Sequence, residues 1–294
     1  MPDKIFPVYS ICSLSASASL PEDFIADNFA HYLQEHKNLH FPHKHSFYHL
    51  VYFTKGSGSH SIDFVNFPVK AGQIYFMVPG QVHDWNFKNV PDGFIVNFSE
   101  QYINALIADT RYLDQFSFFS GIAAQQVINI PVKAQPAVEQ LLSTIISEAQ
   151  GDKLQKDDMI RTALLQLFIL VNRSTNHEKT TTAGNYNSLL LQNFRKLIDQ
   201  QYKKLKLTKE YAALLYVTPN HLNALSKHVT GQSAGELIRD RVLLEAKRLL
   251  VNAQLNISEI ARELDFADNS YFARFFKKYT GLTPDEFRKQ NIKK

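Results

Sequence analysis

The chain has 294 residues, of which 45% are hydrophobic and 20% are charged, so it can form two folded domains of ordinary globular composition. A single cysteine, Cys12, excludes an intramolecular disulfide, and the longest apolar run, residues 167–171, is too short to span a bilayer. The net charge of +4 is uneven, because residues 186–294 carry 19 Lys or Arg against 11 Asp or Glu, whereas residues 1–185 carry 13 against 17. This asymmetry favours a polyanionic partner for the C-terminal part.

The N-terminal half of the chain predicts β structure. Its first residues lack a basic stretch followed by an apolar core, so we expect no secretory signal and a cytoplasmic protein without membrane contacts. Short aromatic and β-branched runs then alternate with turn-forming residues, which favours a sandwich or barrel. The predicted strands are residues 48–53, 62–67, 74–78 and 94–98, and the predicted breaks are residues 55–58, 70–72 and 91–93.

Helical periodicity begins at about residue 135, where Val138, Leu142 and Ile145 share one face, and a second helix is predicted from about residue 156 to 171. The polar, Thr-rich segment 172–187 has no periodicity and predicts an interdomain linker. We therefore predict an α+β protein of two domains. A β-barrel with two following helices occupies residues 1–171, and an all-α domain occupies residues 188–294.

The C-terminal part contains one pattern twice, about fifty residues apart. In each copy an N-cap, Thr218 or Asp268, begins a helix that stops at a Thr-Gly pair, and a capping-box pattern opens the next helix. A shorter helix precedes each of these, with Thr208 and Ser258 as its predicted caps and a large residue followed by alanine in its middle. Close crossing of two helices needs such an alanine, so the pattern predicts two helix-turn-helix units.

These residues resemble the AraC/XylS family of bacterial regulators. The resemblance covers about the last hundred residues and includes both units, at about residues 208–231 and 258–281, the helix containing residues 246–250, and the stretch 268–277. It implies a seven-helix domain in which a linking helix, at about residues 233–251, holds two recognition helices against successive major grooves of double-stranded DNA.

Helical geometry then divides the side chains of each recognition helix between core and DNA. Leu222 and Leu225 in the first unit, and Phe272 and Phe275 in the second, are predicted to face the core. Arg274 is the predicted base reader, because a guanidinium can bond bidentately to guanine. The residues predicted to contact DNA are Asn220, His221, Asn223, Ala224 and Lys227 in the first unit, and Asn269, Ser270, Ala273, Arg274, Lys277 and Lys278 in the second.

A histidine-rich pattern lies in the predicted β domain, at residues 41–49 and 79–83. It resembles the cupin pattern, in which a His-x-His pair, an acidic residue and a distant histidine bind a metal inside a small β-barrel. The resemblance implies a cupin-like barrel and a candidate site for Zn, Ni, Cu or Fe at His43, His45, His49 and His83, with His49 in the place of the usual glutamate. The first three of these histidines share one parity and are expected on one strand facing one cavity.

Histidines that pack beside aromatic rings or bind a polar ligand are the alternative, and on that interpretation no cofactor is expected. The predicted site is then an effector pocket, lined by His43, His45, Phe47, His49, His83 and Trp85. We predict a dimeric, sequence-specific transcription regulator that responds to a small-molecule effector, contacts RNA polymerase if it is an activator, and is not an enzyme. A metal-dependent cupin enzyme fused to a DNA-binding domain, and a constitutive regulator whose β domain only dimerises the chain, remain open alternatives.

Overall fold

The structure is a computed structural model that describes residues 7–14, 23–36, 42–107, 112–175, 182–251 and 255–292. The chain divides into two compact units, an N-terminal one that ends at residue 178 and a C-terminal one that begins at residue 179. The segment 172–187, predicted as a linker, is helical at its two ends, and its central residues 176–181 lie outside the described residues. Among the helices of the described residues, none is long and apolar enough to cross a membrane.

The strands in the described residues of the N-terminal unit are β1 (Val8–Tyr9), β2 (Phe24–Asn28), β3 (His43–His45), β4 (Tyr48–Lys55), β5 (Gly58–Ile62), β6 (Val65–Val69), β7 (Gln73–Met77), β8 (Val82–Phe87), β9 (Asp92–Phe98) and β10 (Val127–Asn129). They form two five-stranded sheets, with the strand orders β1-β3-β8-β5-β6 and β10-β7-β4-β9-β2. Of the pairs that these strands form, β1 with β3 is parallel and the others are antiparallel.

The α-helices described in this unit are α1 (Ile11–Leu14), α2 (Phe29–Glu35), α3 (Glu100–Asn104), α4 (Gln135–Gln150) and α5 (Lys156–Thr175). Helices α4 and α5 confirm the two helices predicted after the strands, although α5 continues four residues past the predicted end. They cover one face of the second sheet, where their apolar sides pack with Leu50 and Tyr52 of β4 in one core.

Strand β4 separates two hydrophobic cores. Its alternate residues Val51 and Phe53 belong to the second core, which lies on the face opposite Leu50 and Tyr52 and includes Trp85 of the first sheet. Successive side chains of a strand point to opposite faces, so a strand buried on both sides becomes a continuous apolar run. That is why the sequence predicts β4 and β7 correctly.

The strand predicted at residues 62–67 is wrong. Asp63 and Phe64 have positive φ angles of 48° and 69°, and they form a two-residue turn between β5 and β6. Consecutive positive φ angles match the twist of a tight hairpin, which usually takes Asn-Gly or Asp-Gly there. The unusual Asp-Phe pair, within an alternating apolar pattern, makes a hairpin look like one strand. Strand β8 was likewise not among the predicted strands.

The C-terminal unit contains seven helices in its described residues, which agrees with the family resemblance. They are α6 (Thr182–Gln201), α7 (Thr208–Leu214), α8 (Pro219–Thr230), α9 (Ala234–Leu250), α10 (Ile257–Glu263), α11 (Asn269–Thr280) and α12 (Pro284–Ile292). The two helix-turn-helix units are α7 with α8 and α10 with α11. Helix α9 joins them and has 17 residues, which makes it about 25 Å long.

The caps of the recognition helices α8 and α11 confirm the predicted signals. Thr218 accepts a hydrogen bond of 3.1 Å from a backbone N–H of α8, and Asp268 accepts one of 2.7 Å in α11. Both helices end at a glycine in the left-handed region, Gly231 with φ of 77° and Gly281 with φ of 79°. The boundaries of both helices are therefore set by local chemistry.

The predicted caps of the preceding helices, Thr208 and Ser258, are wrong. Asn256 caps α10, and its Oδ1 accepts a hydrogen bond of 2.9 Å from the backbone N–H three residues later. At α7 the N-cap is Leu207, whose backbone N–H donates to the carboxylate of Glu210 over 2.8 Å. The feature common to both copies is thus the glutamate three residues after the cap, which satisfies a backbone donor that the helix leaves free.

Candidate DNA-binding helices and a buried histidine cluster

The first recognition helix, α8, buries Leu222 and Leu225 as predicted. Four of the five residues predicted to contact DNA are exposed. They are Asn220, His221, Ala224 and Lys227. Asn223 is the exception, because it is half-buried and its Oδ1 accepts a hydrogen bond of 3.1 Å from the backbone N–H of Ala234, at the start of α9. Its carbonyl is therefore used within the protein, which corrects the outward orientation predicted for this residue.

The second recognition helix, α11, buries Phe272 and Phe276 completely. The predicted core residue Phe275 is only half-buried, and its ring lies 5.1 Å from that of Phe266. Of the residues predicted to contact DNA, Ala273 is half-buried and the others are exposed. The exposed ones are Asn269, Ser270, Arg274, Lys277 and Lys278. The side-chain amide of Asn269 donates to the hydroxyl of Ser258 in α10.

Sequence reasoning missed Tyr271, which is 52% exposed near the start of α11 and occupies the position that His221 has in α8. An aromatic residue beside the buried Phe272 looks like core in the sequence, which is why its exposure was not expected. The exposed side of α11 also carries three cationic side chains, Arg274, Lys277 and Lys278, whereas α8 exposes only Lys227 in addition to two histidines. The two recognition helices therefore differ in charge.

The four predicted histidines come together, but the three that were expected on one strand lie on two, β3 and β4. His43 and His45 are alternate residues of β3 and so share a face, and His43 is paired directly with His83 of β8. His49 lies on β4 in the other sheet, so the expectation of a single strand is wrong. A fifth histidine, His60 of β5, was not predicted to belong to the site. All five side chains are at most 2% exposed.

Three Nε2 atoms converge at the centre of this histidine cluster, which we define as His43, His45, His49, His60 and His83. Nε2 of His45 lies 3.1 Å from Nε2 of His43 and 2.8 Å from Nε2 of His83. On the far side of the His83 ring, Nδ1 lies 3.0 Å from Nε2 of His60. The ligand atoms of His43, His45 and His83 are all within 4.8 Å of one another.

His49 has a different role from these three. Its Nδ1 lies 2.7 Å from Oδ1 of Asn97, which is an acceptor, so Nδ1 carries the proton and Nε2 does not. Burial lowers the pKa of His49 to about 3, although the hydrogen bond to Asn97 opposes that shift. His49 is therefore neutral and is held by a side chain of the neighbouring strand β9.

Burial also lowers the pKa of His45, His60 and His83 well below the usual range for histidine, and the neighbouring imidazoles lower it further. The predicted pocket residues Phe47 and Trp85 are buried against these rings. Trp85 stacks on His60 with a centroid distance of 3.3 Å, and Phe47 lies 4.4 Å from His45. The cluster is thus a set of neutral imidazoles packed among aromatic rings.

Open volume is found at a separate cleft of the N-terminal unit. This cleft, of about 580 Å³, lies beside β2, α2 and the start of α5. Apolar side chains such as Phe24 and Ile160 form part of its wall, and polar groups include Tyr32 and the hydrogen-bonded pair of Asp27 and His31, which are 2.6 Å apart. Mostly apolar clefts of this size with a few polar groups are typical of small-molecule sites.

Comparison with known proteins supports both units. The model of the AraC-like ligand binding domain matches residues 27–178, and that of a helix-turn-helix domain matches residues 211–290. The arabinose operon regulatory protein of Salmonella typhimurium (strain LT2) is 26% identical over 240 residues, which cover 80% of each chain. YesN, an uncharacterized transcriptional regulatory protein of Bacillus subtilis (strain 168), is 27% identical over 215 residues, and the match spans 65% of this chain but only 58% of YesN.

Among solved structures, ToxT from Vibrio cholerae O395 has 13% sequence identity to this chain and a TM-score of 0.46. The match covers 92% of this chain and 99% of the ToxT chain.

Proposed function

The chain belongs to the AraC family of DNA-binding transcription regulators, and we propose that it binds one operator with α8 and α11 in successive major grooves. The observation that carries this proposal is the pair of capped recognition helices, each with a buried apolar face and an exposed polar face, joined by one helix of about 25 Å. Successive major grooves on one side of B-DNA are about 34 Å apart, which a pair of units joined in this way can reach.

The proposed roles of the two helices follow from their exposed side chains. Arg274 of α11 offers a bidentate donor to a guanine, and Lys277 and Lys278 offer charges to the phosphates beside it. In α8, Asn220 and His221 are the polar side chains near the N-terminus, while the matching position to Arg274 holds Ala224, which can contact only a methyl group. Helix α11 therefore contributes more of the sequence specificity than α8.

A change of operator spacing tests the use of both helices. We expect that inserting five base pairs between the two contacted segments of a selected operator lowers affinity by about tenfold or more, because half a helical turn moves one segment to the opposite side of the duplex. The measurement is a gel shift with the full chain at several salt concentrations. The control DNA carries the same five base pairs outside the contacted segments. Equal binding to both DNAs would mean that one unit suffices.

We further propose that the N-terminal unit binds a small-molecule effector in the cleft beside β2 and α2. Its volume and its mixed apolar and polar wall support this role, whereas the histidines that the sequence predicts as the pocket are buried against one another. Effector binding regulates only if the ligand prefers one of two arrangements of the chain. Homodimerisation and contact with RNA polymerase stay predictions.

A thermal-shift screen of the full chain against pentoses, hexoses, benzoates and short carboxylic acids tests the sensor role. A ligand at a hundred times its Kd should stabilise the N-terminal unit by about 2.7 kcal/mol, seen as a higher midpoint in the fluorescence of Trp85. The variant Ala26→Phe, which narrows the cleft, should lose that shift while it still binds the operator. A screen in which no compound raises the midpoint would favour a constitutive regulator.

A further inference from the structure

We infer that His43, His45 and His83 bind one divalent first-row transition-metal ion. This goes beyond the proposed function, because regulated DNA binding requires no metal. The three residues come from two neighbouring strands of one sheet, and their Nε2 atoms meet inside the N-terminal unit. Imidazole nitrogen is the ligand that Zn, Cu, Ni and Fe ions share, and three such ligands with one open position form a common metal site in proteins.

The distances suit this ion. A metal that binds imidazole at about 2.0–2.1 Å in tetrahedral geometry holds its ligand nitrogens about 3.3 Å apart. The separations of 2.8 and 3.1 Å around Nε2 of His45 reach that value if the rings move by about half an ångström or less. The ligand atoms of the third pair, His43 and His83, are at most 4.8 Å apart, so these two rings approach each other by up to about 1.5 Å when the ion binds. No carboxylate belongs to this group within the described ranges, so its three ligands are uncharged.

Hydrogen bonds among the rings leave His45 incompletely satisfied. Its Nε2 faces the Nε2 atoms of both His43 and His83, and a neutral ring carries only one proton. Its Nδ1 is buried and has no hydrogen-bond partner among the described residues, so one nitrogen stays unpaired in either tautomer. A metal would accept the lone pairs of all three Nε2 atoms at once.

His60 is a positioning residue for this site. When Nε2 of His83 binds a metal, its proton is on Nδ1, and Nδ1 can then donate to Nε2 of His60 over 3.0 Å. The stack of His60 on Trp85 fixes the acceptor ring in place. Second hydrogen bonds of this kind orient most histidine ligands in proteins. The structure thus adds His60 to the site, whereas the sequence prediction did not include it.

His49 is outside the proposed ligand set, although it stands where the cupin pattern has its glutamate. Its Nδ1 is bonded to Asn97, and its ring does not join the group whose ligand atoms lie within 4.8 Å. The proposed site therefore has three histidines and not the four that the sequence suggests. This difference provides a matched control, since His49 is as buried as the three ligands.

Titration of the untagged full chain tests the site. The protein is freed of metal with a chelator and titrated with Zn²⁺ by calorimetry and with Co²⁺ by visible absorption, which is strong for four-coordinate and weak for six-coordinate cobalt. We expect one ion per chain and the strong absorption of four-coordinate cobalt.

Variants of the histidines test the ligand set. His45→Ala and His83→Ala should each lower the affinity for the metal by about a hundredfold or more, whereas His49→Ala and the exposed His31→Ala should leave that affinity unchanged. His60→Ala should lower affinity by about 10- to 100-fold, and His60→Gln, which can still accept a hydrogen bond, should restore most of it.

Circular dichroism and Trp85 fluorescence establish that each variant is folded. Should the ligand variants fail to fold, the unaltered chain still decides the question. Less than one ion per chain, or the weak cobalt spectrum, would overturn the inference, and so would equal losses in His31→Ala and His45→Ala. A gel shift in chelator measures DNA binding by the metal-free chain, so the proposed function is tested separately.

Discussion

Arg274→Ala should lower the affinity of the full chain for its selected operator by about 1–3 kcal/mol, a loss of about 5- to 150-fold, and should relax the sequence preference at one base pair. The reason lies in the state of its guanidinium. Arg274 is exposed on α11, and none of the acidic residues in the described ranges pairs with it. A planar guanidinium that is not used within the protein, on a recognition helix, can donate two hydrogen bonds to the O6 and N7 atoms of guanine.

Two other arginines of the same unit are already occupied. Arg241 bonds Asp199 at 2.7 Å and Glu245 at 3.0 Å, and it lies over the ring of Tyr202. Arg288 donates to two backbone carbonyl oxygens, at 3.0 and 2.6 Å. These side chains hold helices together and cannot also read bases. Arg274 is also the one arginine on the two recognition helices α8 and α11.

Two variants separate base reading from simple charge. Arg274→Lys keeps the positive charge but cannot donate two parallel hydrogen bonds to one base. It should therefore lose nearly as much sequence preference as Arg274→Ala while retaining more non-specific DNA binding. Lys289→Ala removes one charge from the exposed side of α12 and serves as the matched control. The measurement is a gel shift against operators altered one base pair at a time. An Arg274→Ala variant that binds all of them like the unaltered chain would refute the assignment.

The sequence predicts those parts of the C-terminal unit that depend on local chemistry. The N-caps Thr218 and Asp268 and the stops at Gly231 and Gly281 act within one helical turn, so a short stretch of sequence contains all the information. Helix-turn-helix units then follow from the order of these signals. The error at α10 is of two residues, because Asn256 and Ser258 are both capable caps and stand close together. The error at α7 is of one residue, because its N-cap is Leu207, whose side chain gives no capping signal, and a threonine follows it.

The histidine cluster shows what local signals cannot provide. Its members come from β3, β4, β5 and β8, in two sheets, and the register between strands brings them together. The sequence does not indicate the hairpin turn at Asp63 and Phe64, so it does not predict β5 as a strand. For this reason it does not assign His60, which lies on β5, to the site. A pairing between distant strands depends on the whole fold, so spacing along the chain identified four histidines but neither their geometry nor the fifth.

The error at Phe275 has a different cause. Alignment of the two copies matches Phe276 with Ser226, and a serine suggests a surface position. Both residues are in fact 0% exposed, so the first copy buries a hydroxyl, without a hydrogen-bond partner among the described residues, where the second buries a ring. Helix α11 has three phenylalanines within five residues, so the sequence alone does not decide which side of the helix faces the core. The packing of the helix against its neighbours determines which two of the rings face inward.

Phe276→Ala should destabilise the C-terminal unit by about 3–5 kcal/mol, whereas Phe275→Ala should cost markedly less. Removal of a fully buried ring loses its transfer free energy and leaves a cavity, and that cavity would lie between Phe272 and Phe287, whose rings are 6.0 and 5.5 Å from that of Phe276. Phe275 is already partly in water, so its removal opens less space. The two variants delete the same atoms one residue apart, and each serves as the control for the other.

Denaturant unfolding of the full chain can separate the two units, because Trp85 is the only tryptophan and lies in the N-terminal unit. Both units contain helices, so the C-terminal transition is the part of the loss of helical circular dichroism that does not coincide with the Trp85 transition. The midpoint of that part should fall strongly in Phe276→Ala and weakly in Phe275→Ala. The fluorescence midpoint of Trp85 should stay unchanged in both. Equal falls for the two variants would mean that both rings support the unit alike, and a larger fall for Phe275→Ala would support the inward face that the sequence predicts. A larger fall for Phe276→Ala would place the buried face of α11 opposite Arg274, which is the orientation that the proposed base contact requires.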